Sequence, residues 1–171
     1  TPSAKMTEPR QHSIPFSRPR LLGNEAETLS EVFRAGKLAG NGPFTRRCND
    51  MLTRITGTGQ ALITTSGSTA LDMAALITGL VPGDEVIIPS FTFVSTANAV
   101  VLRGAIPIFV DIREDTLNLD ETKVEKAITQ RTKAIVPVHY AGVGCEMDEI
   151  VPIVEKHGLT LIEDAAQAID A

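Results

Sequence analysis

Three short segments carry residue types from which a ligand site could be built. The first is TTSGSTAL, residues 64–71: small hydroxylated residues around one glycine, opening into a stretch of helical character. Backbone N–H groups at a helix start, with the helix dipole behind them and the hydroxyls of Ser66, Ser68 and Thr69 beside them, suit a phosphate. An ordinary N-cap at Ser68 or Thr69 accounts for the same residues. Neither GxGxxG nor GxxxxGK[ST] occurs, which disfavours dinucleotides and nucleoside triphosphates. The second segment is PSFTFVSTANAV, residues 89–100. Phe91 and Phe93 offer rings that can stack on a flat ligand, although a phenylalanine in a folded protein is more commonly core. The third is LTLIEDAAQAIDA, residues 159–171, where an apolar run leads into Glu163 and Asp164, with Gln167 one helical turn on. A carboxylate at the end of a buried strand is costly unless a cation or a hydrogen-bond donor meets it. An arginine, a helix N-terminus or a protonated aromatic nitrogen would serve.

These segments need elements that bring them together. Five apolar runs, ALIT (61–64), EVIIP (85–89), IPIFV (106–110), KAIVPV (133–138) and LTLIE (159–163), alternate with helical stretches over about 69–79, 94–103, 121–128 and 148–156. The third of these helices has Asp120 as N-cap and Leu119 against Val124 as a hydrophobic staple, and the fourth stops at His157 and Gly158. Upstream, Asn24 and Glu27 form a capping-box pair for a helix that stops at Gly36, and a second helix runs over about 44–56, with the loop GKLAGNGP between them. Strands that are apolar on nearly every residue and alternate with helices imply an α/β fold with a mostly parallel sheet covered on both faces. In such sheets ligands bind beyond the carboxyl ends of the strands, which is where all three segments fall. Asp111, after the third run, reads as a turn or cap, and His139 and Tyr140, after the fourth, carry no defined role.

A phosphate seat, a flat ring and a carboxylate at the strand ends of one sheet match the needs of pyridoxal 5′-phosphate, whose ring nitrogen works best protonated. A different phosphate ligand with Asp164 structural, and a non-catalytic binding or assembly segment, are the alternative readings. Composition is that of a folded, water-soluble chain: 43% hydrophobic and 22% charged residues among 171. With a net charge of −5 and the 16 Lys and Arg scattered, nucleic acid is not an expected partner. No window is long and apolar enough for a membrane span, and TPSAKMTEPRQHS holds no apolar stretch of signal-peptide length, so no membrane partner is expected and a cytoplasmic location is. Cys48 and Cys145 lack any CxxC or metal-type spacing, and no metal is expected.

In this order, SGSTAL, GDEVIIPSFTFVSTANAV, PIFVDI and IEDAAQ resemble the DegT/DnrJ/EryC1/StrS sugar aminotransferases, pyridoxal-phosphate enzymes of the type I fold. The resemblance implies that Gly67, Ser68 and Thr69 hold the cofactor phosphate, that Phe93 stacks on the pyridine ring, that Asp164 pairs with the ring nitrogen, and that Gln167 lies on the 3-hydroxyl side. It also implies a nucleotide-sugar substrate, an amino-acid donor and a homodimer for the full-length protein. The Schiff-base lysine of the family is expected beyond Ala171, so no catalytic residue is assigned here; relatives with histidine in its place are sugar dehydratases. The organisation expected is a disordered leader over 1–13, a helical segment with a glycine loop over 14–60, and the first part of an incomplete type I aminotransferase large domain over 61–171.

Overall fold

The computed structural model describes residues 20–169; the leader expected over 1–13 lies outside them. The chain divides into two compact units, one ending at Arg46 and the other beginning at Arg47.

The first unit contains α1 (Glu25–Ala35) and the start of α2 (Pro43–Thr56). The capping box expected from Asn24 and Glu27 does not form. Asn24 sits at φ −104°, ψ 1° and makes no side-chain cap, because that backbone lies outside the extended region from which a cap side chain reaches the helix N–H groups. The Glu25 carboxylate instead turns back on the chain before the helix, accepting from the N–H of Leu22 (2.6 Å) and Gly23 (2.9 Å). Pro43 opens α2, where its missing N–H would have had no helical partner.

The second unit is a four-stranded, fully parallel sheet, in the order β2 (Ile106–Val110), β1 (Glu85–Pro89), β3 (Thr132–Ile135), β4 (Thr160–Leu161). Alternation along the strands divides the core in two. Val86, Ile88, Ala134 and Val136 pack with Ala75 of α3 (Gly67–Ile77) and with Ala99 and Val100 of α4 (Val94–Val101). From the opposite face, Ile87, Ile135 and Val110 pack with Val124 of α5 (Glu121–Ala127) and with Ile150 and Val154 of α6 (Met147–His157). Helices therefore cover both faces. Asp120 caps α5 through Thr122, and Leu119 and Val124 are buried in one cluster, as the staple requires.

Three strands differ from expectation, and the slightest difference is LTLIE, which pairs as a strand only over Thr160–Leu161. ALIT forms no strand: Leu62 and Ile63 are exposed, and the Ile63 N–H goes to Asn49 Oδ1 (2.7 Å) rather than to a ladder. An apolar run becomes a strand only where a neighbour offers a ladder, and among the described residues the sheet offers it none. KAIVPV is cut short after Ile135, since Pro137 has no N–H to give. Pairing resumes at an isolated bridge between Val138 and Asp164.

Candidate functional site

The chain leaves β1 for β2 on one side of the sheet and returns to β3 on the other, so the strand order reverses between β1 and β3. Such a reversal opens a crevice at the carboxyl ends of the strands. Here it holds a cavity of about 420 Å³. Gly67, Ser68, Phe93, Asp164 and Gln167 all line it, from three separate stretches of chain. Thr69 does not. Its hydroxyl lies 3.0 Å from Ser66 Oγ and 3.3 Å from Thr65 Oγ1, within the capping cluster of α3.

One wall is made of two helix starts. Ser66, not Ser68 or Thr69, is the N-cap of α3, its extended backbone aiming Oγ at the Thr69 N–H (3.1 Å). That leaves Gly67 and Ser68 as the first two helical residues, whose N–H groups have no partner inside the helix. Helix α4 begins beside them, and Ser68 Oγ meets Ser95 Oγ at 2.6 Å. Two positive helix ends and two hydroxyls thus face one space, an arrangement suited to an anion.

The aromatic residues contradict the core expectation. Phe93 is 73% exposed, because as N-cap of α4 it stands where the chain turns off the sheet edge. Phe91 is 45% exposed and packs edge-on against Tyr140, with ring centroids 5.0 Å apart.

Asp164 forms the floor. Its backbone is locked in the sheet, N–H to Pro137 O (2.9 Å) and O from His139 N–H (3.1 Å). Its carboxylate is 8% exposed as a residue, accepts from Thr96 Oγ1 at 3.0 Å and from Ala166 N–H at 3.3 Å, and belongs to no ion pair among the described residues.

The remaining wall is the turn over 139–142, whose residues carried no assigned role. The Cys145 N–H donates to His139 Nδ1 (3.0 Å), which leaves the ring proton on Nε2 to be donated to Glu163 Oε2 (3.0 Å). Glu163 therefore orients His139. Ala141 sits at φ 54°, held there by its N–H to Gln167 Oε1 at 2.7 Å. Gly142 follows at φ 83°, where an added Cβ would come within 3.2 Å of Gln167 O. From below, Asn118 accepts from Tyr140 N–H and donates to Val143 O and Gly144 O. Burial pushes the Cys145 thiol up to about 11, so it packs rather than reacts. Asp111 is a turn residue, its Oδ1 taking the Ile112 N–H.

A wider depression near α5 and α6 is lined largely by glutamates, and its two cations, Arg113 and Lys156, are already paired with Glu121 and Glu125. It offers an anion little.

Residues 19–171 match the sequence profile of the DegT/DnrJ/EryC1/StrS aminotransferase family. The chain belongs to that family. A curated relative, the spore coat polysaccharide biosynthesis protein SpsC of Bacillus subtilis (strain 168), is 41% identical over 164 residues, covering 96% of this chain and 42% of SpsC. Among solved structures, 3-amino-5-hydroxybenzoic acid synthase superposes with a TM-score of 0.87 at 35% identity over 91% of this chain and 41% of its own. NtdA from Bacillus subtilis, solved with the bound cofactor PMP, gives 0.81 at 40% identity over 85% and 33%. The fold is that of these two structures, and the chain spans about two fifths of the length of the curated relative it matches.

Signals for the residues missed at first were partly present. Thr92, Ser95 and Thr96 repeat at helical spacing beside Phe93, whereas nothing near Asn118 points to the turn it holds.

Proposed function

We propose that this chain supplies the cofactor-binding part of a pyridoxal-phosphate-dependent nucleotide-sugar aminotransferase, residues 61–171 forming the first part of its large domain. The observation that carries the reading is Asp164, a buried carboxylate with no ion-pair partner among the described residues, set in the wall of a cavity that two helix starts also line. Such a carboxylate calls for a cation from the ligand, and the residues present fit the cofactor. When bound, pyridoxal phosphate supplies a phosphate, a flat ring and an electron sink for the carbanion formed at the substrate.

The N–H groups of Gly67 and Ser68, with the Ser68 hydroxyl, would hold the phosphate, and Thr69 would support them through the capping cluster. Phe93 would cover one face of the ring. Asp164 would pair with the protonated ring nitrogen and so keep that proton in place. Gln167, whose Oε1 is engaged by Ala141, retains its NH2 group for the 3-hydroxyl side.

The stretches GKLAGNGPFTRRCN, TFVSTANAVVLRGA and VPVHYAGVGCEMD resemble dTDP-4-amino-4,6-dideoxygalactose transaminase. On that basis the whole protein would transfer an amino group from L-glutamate to a dTDP-4-keto-6-deoxyhexose, as a cytoplasmic homodimer. The test is to mix the whole protein with pyridoxal phosphate and reduce it with borohydride. A visible absorbance band and cofactor fixed to a lysine, found by mass spectrometry, are expected. With both substrates, 2-oxoglutarate should appear. A protein that stays colourless refutes the reading; conversion of the sugar without consumption of L-glutamate would place it with the dehydratases of the family.

A further inference from the structure

Thr96 is only 1% exposed, lines the cavity, and has no part in the cofactor contacts proposed above. Several hydroxyl residues of the other helices turn back on the carbonyl one turn earlier: Thr28 on Asn24 O, Ser30 on Ala26 O, Thr56 on Leu52 O and Thr78, just past the end of α3, on Ala74 O. Thr96 departs from that habit. It donates its proton to Asp164 Oδ2, 68 residues away in sequence, at 3.0 Å.

The direction of the chain follows from the chemistry. A carboxylate only accepts, so the Thr96 hydroxyl must donate to it, and the Thr92 hydroxyl, 2.9 Å from Thr96 Oγ1, must be the donor to Thr96. Thr92 in turn is half-buried at the cavity wall. Among the described residues the two oxygens of Asp164 are held unequally: Oδ2 by this relay, Oδ1 only by the Ala166 N–H at 3.3 Å. The rotation of the carboxylate plane therefore depends on Thr96, and α4 gains nothing for its own backbone from the contact.

We propose that Thr96 is a positioning residue that fixes the Asp164 carboxylate against a protonated ring nitrogen, with Thr92 as its outer support. This rests on the pyridoxal phosphate reading. The experiment measures binding of pyridoxamine 5′-phosphate to the whole protein by calorimetry, across pH, for the wild type, Thr96→Val and Thr96→Ser. This ligand needs no covalent anchor, so binding is read without turnover.

Wild-type affinity should fall as pH rises and the ring nitrogen loses its proton. Thr96→Val, matched in shape but without the donor, should bind roughly tenfold more weakly, the scale of a hydrogen bond to a charged group. Its fall in affinity should come about one pH unit lower, since a misplaced carboxylate stabilises the pyridinium less. Thr96→Ser, which keeps the hydroxyl, should follow the wild type. A Thr96→Val protein with a lowered thermal midpoint but an unmoved pH profile would overturn the proposal and make Thr96 a packing residue. Should Thr96→Val not fold, Thr92→Val removes the outer donor at a half-buried position; a smaller shift in the same direction is expected, and no shift overturns the proposal. A wild-type protein that binds no pyridoxamine phosphate would overturn the cofactor reading itself, a result distinct from a wild type that binds and a variant that matches it.

Discussion

Asn118→Ala should loosen one wall of the site without touching the residues expected to meet the cofactor. Asn118 is 2% exposed and makes three hydrogen bonds to the turn beyond β3: Tyr140 N–H to Oδ1 at 2.9 Å, and Nδ2 to Val143 O and Gly144 O at 3.0 Å each. A neutral bond of this kind is worth about 1 kcal/mol net, so losing all three costs about 3 kcal/mol, more if the freed groups stay dry. The loss is local, because the turn belongs to no strand; its other ties are the Ala141 N–H to Gln167, the His139 contacts to Glu163, Asp164 and Cys145, and the Tyr140 ring against Phe91. Hydrogen exchange read by mass spectrometry on peptides covering 138–146 measures it directly. At about 1.4 kcal/mol per factor of ten, exchange there should quicken roughly a hundredfold, while peptides over β1 keep their protection. Protection across 138–146 that stays within about threefold of wild type would refute the reasoning and show that the turn is held from elsewhere.

Two further outcomes are expected. The buried Glu85 carboxyl is held below its ordinary range, first by the Thr129 hydroxyl and then by the Arg131 guanidinium, so its contribution is present above the unfolded value of about 4.3 and is lost as pH falls through the folded one. The thermal midpoints of wild type and Glu85→Gln should differ at pH 7 and converge below about pH 4; a constant gap down to pH 3 would contradict the pairing. Gly104→Ala should cost about 1–3 kcal/mol in a denaturation series, because Gly104 sits at φ +74° and the new Cβ would lie 2.9 Å from Pro82 Cγ; a neutral result would mean the turn is not in this conformation.

The amino-acid sequence determined those features that depend on neighbours along the chain. The apolar runs at 85–89 and 106–110, the Asp120 cap with its Leu119–Val124 staple and the helix over about 44–56 could each be read from a few adjacent residues, and each is present in the structure. From their alternation came the parallel sheet and the rule that the ligand lies at its carboxyl edge. Only the tertiary structure decided the rest, since it depends on partners far off in sequence. ALIT has strand composition but no ladder to join among the described residues. Ser66 won the cap over Ser68 and Thr69 because its backbone, not its residue type, aimed the oxygen, and that choice freed the Gly67 and Ser68 N–H groups for the cavity. Phe93 is exposed because of where α4 starts. Asp164 gained Thr96, His139 gained Glu163, and Ala141 gained Gln167 across separations of 68, 24 and 26 residues. No local pattern encodes such pairs; packing the helices against the sheet creates them.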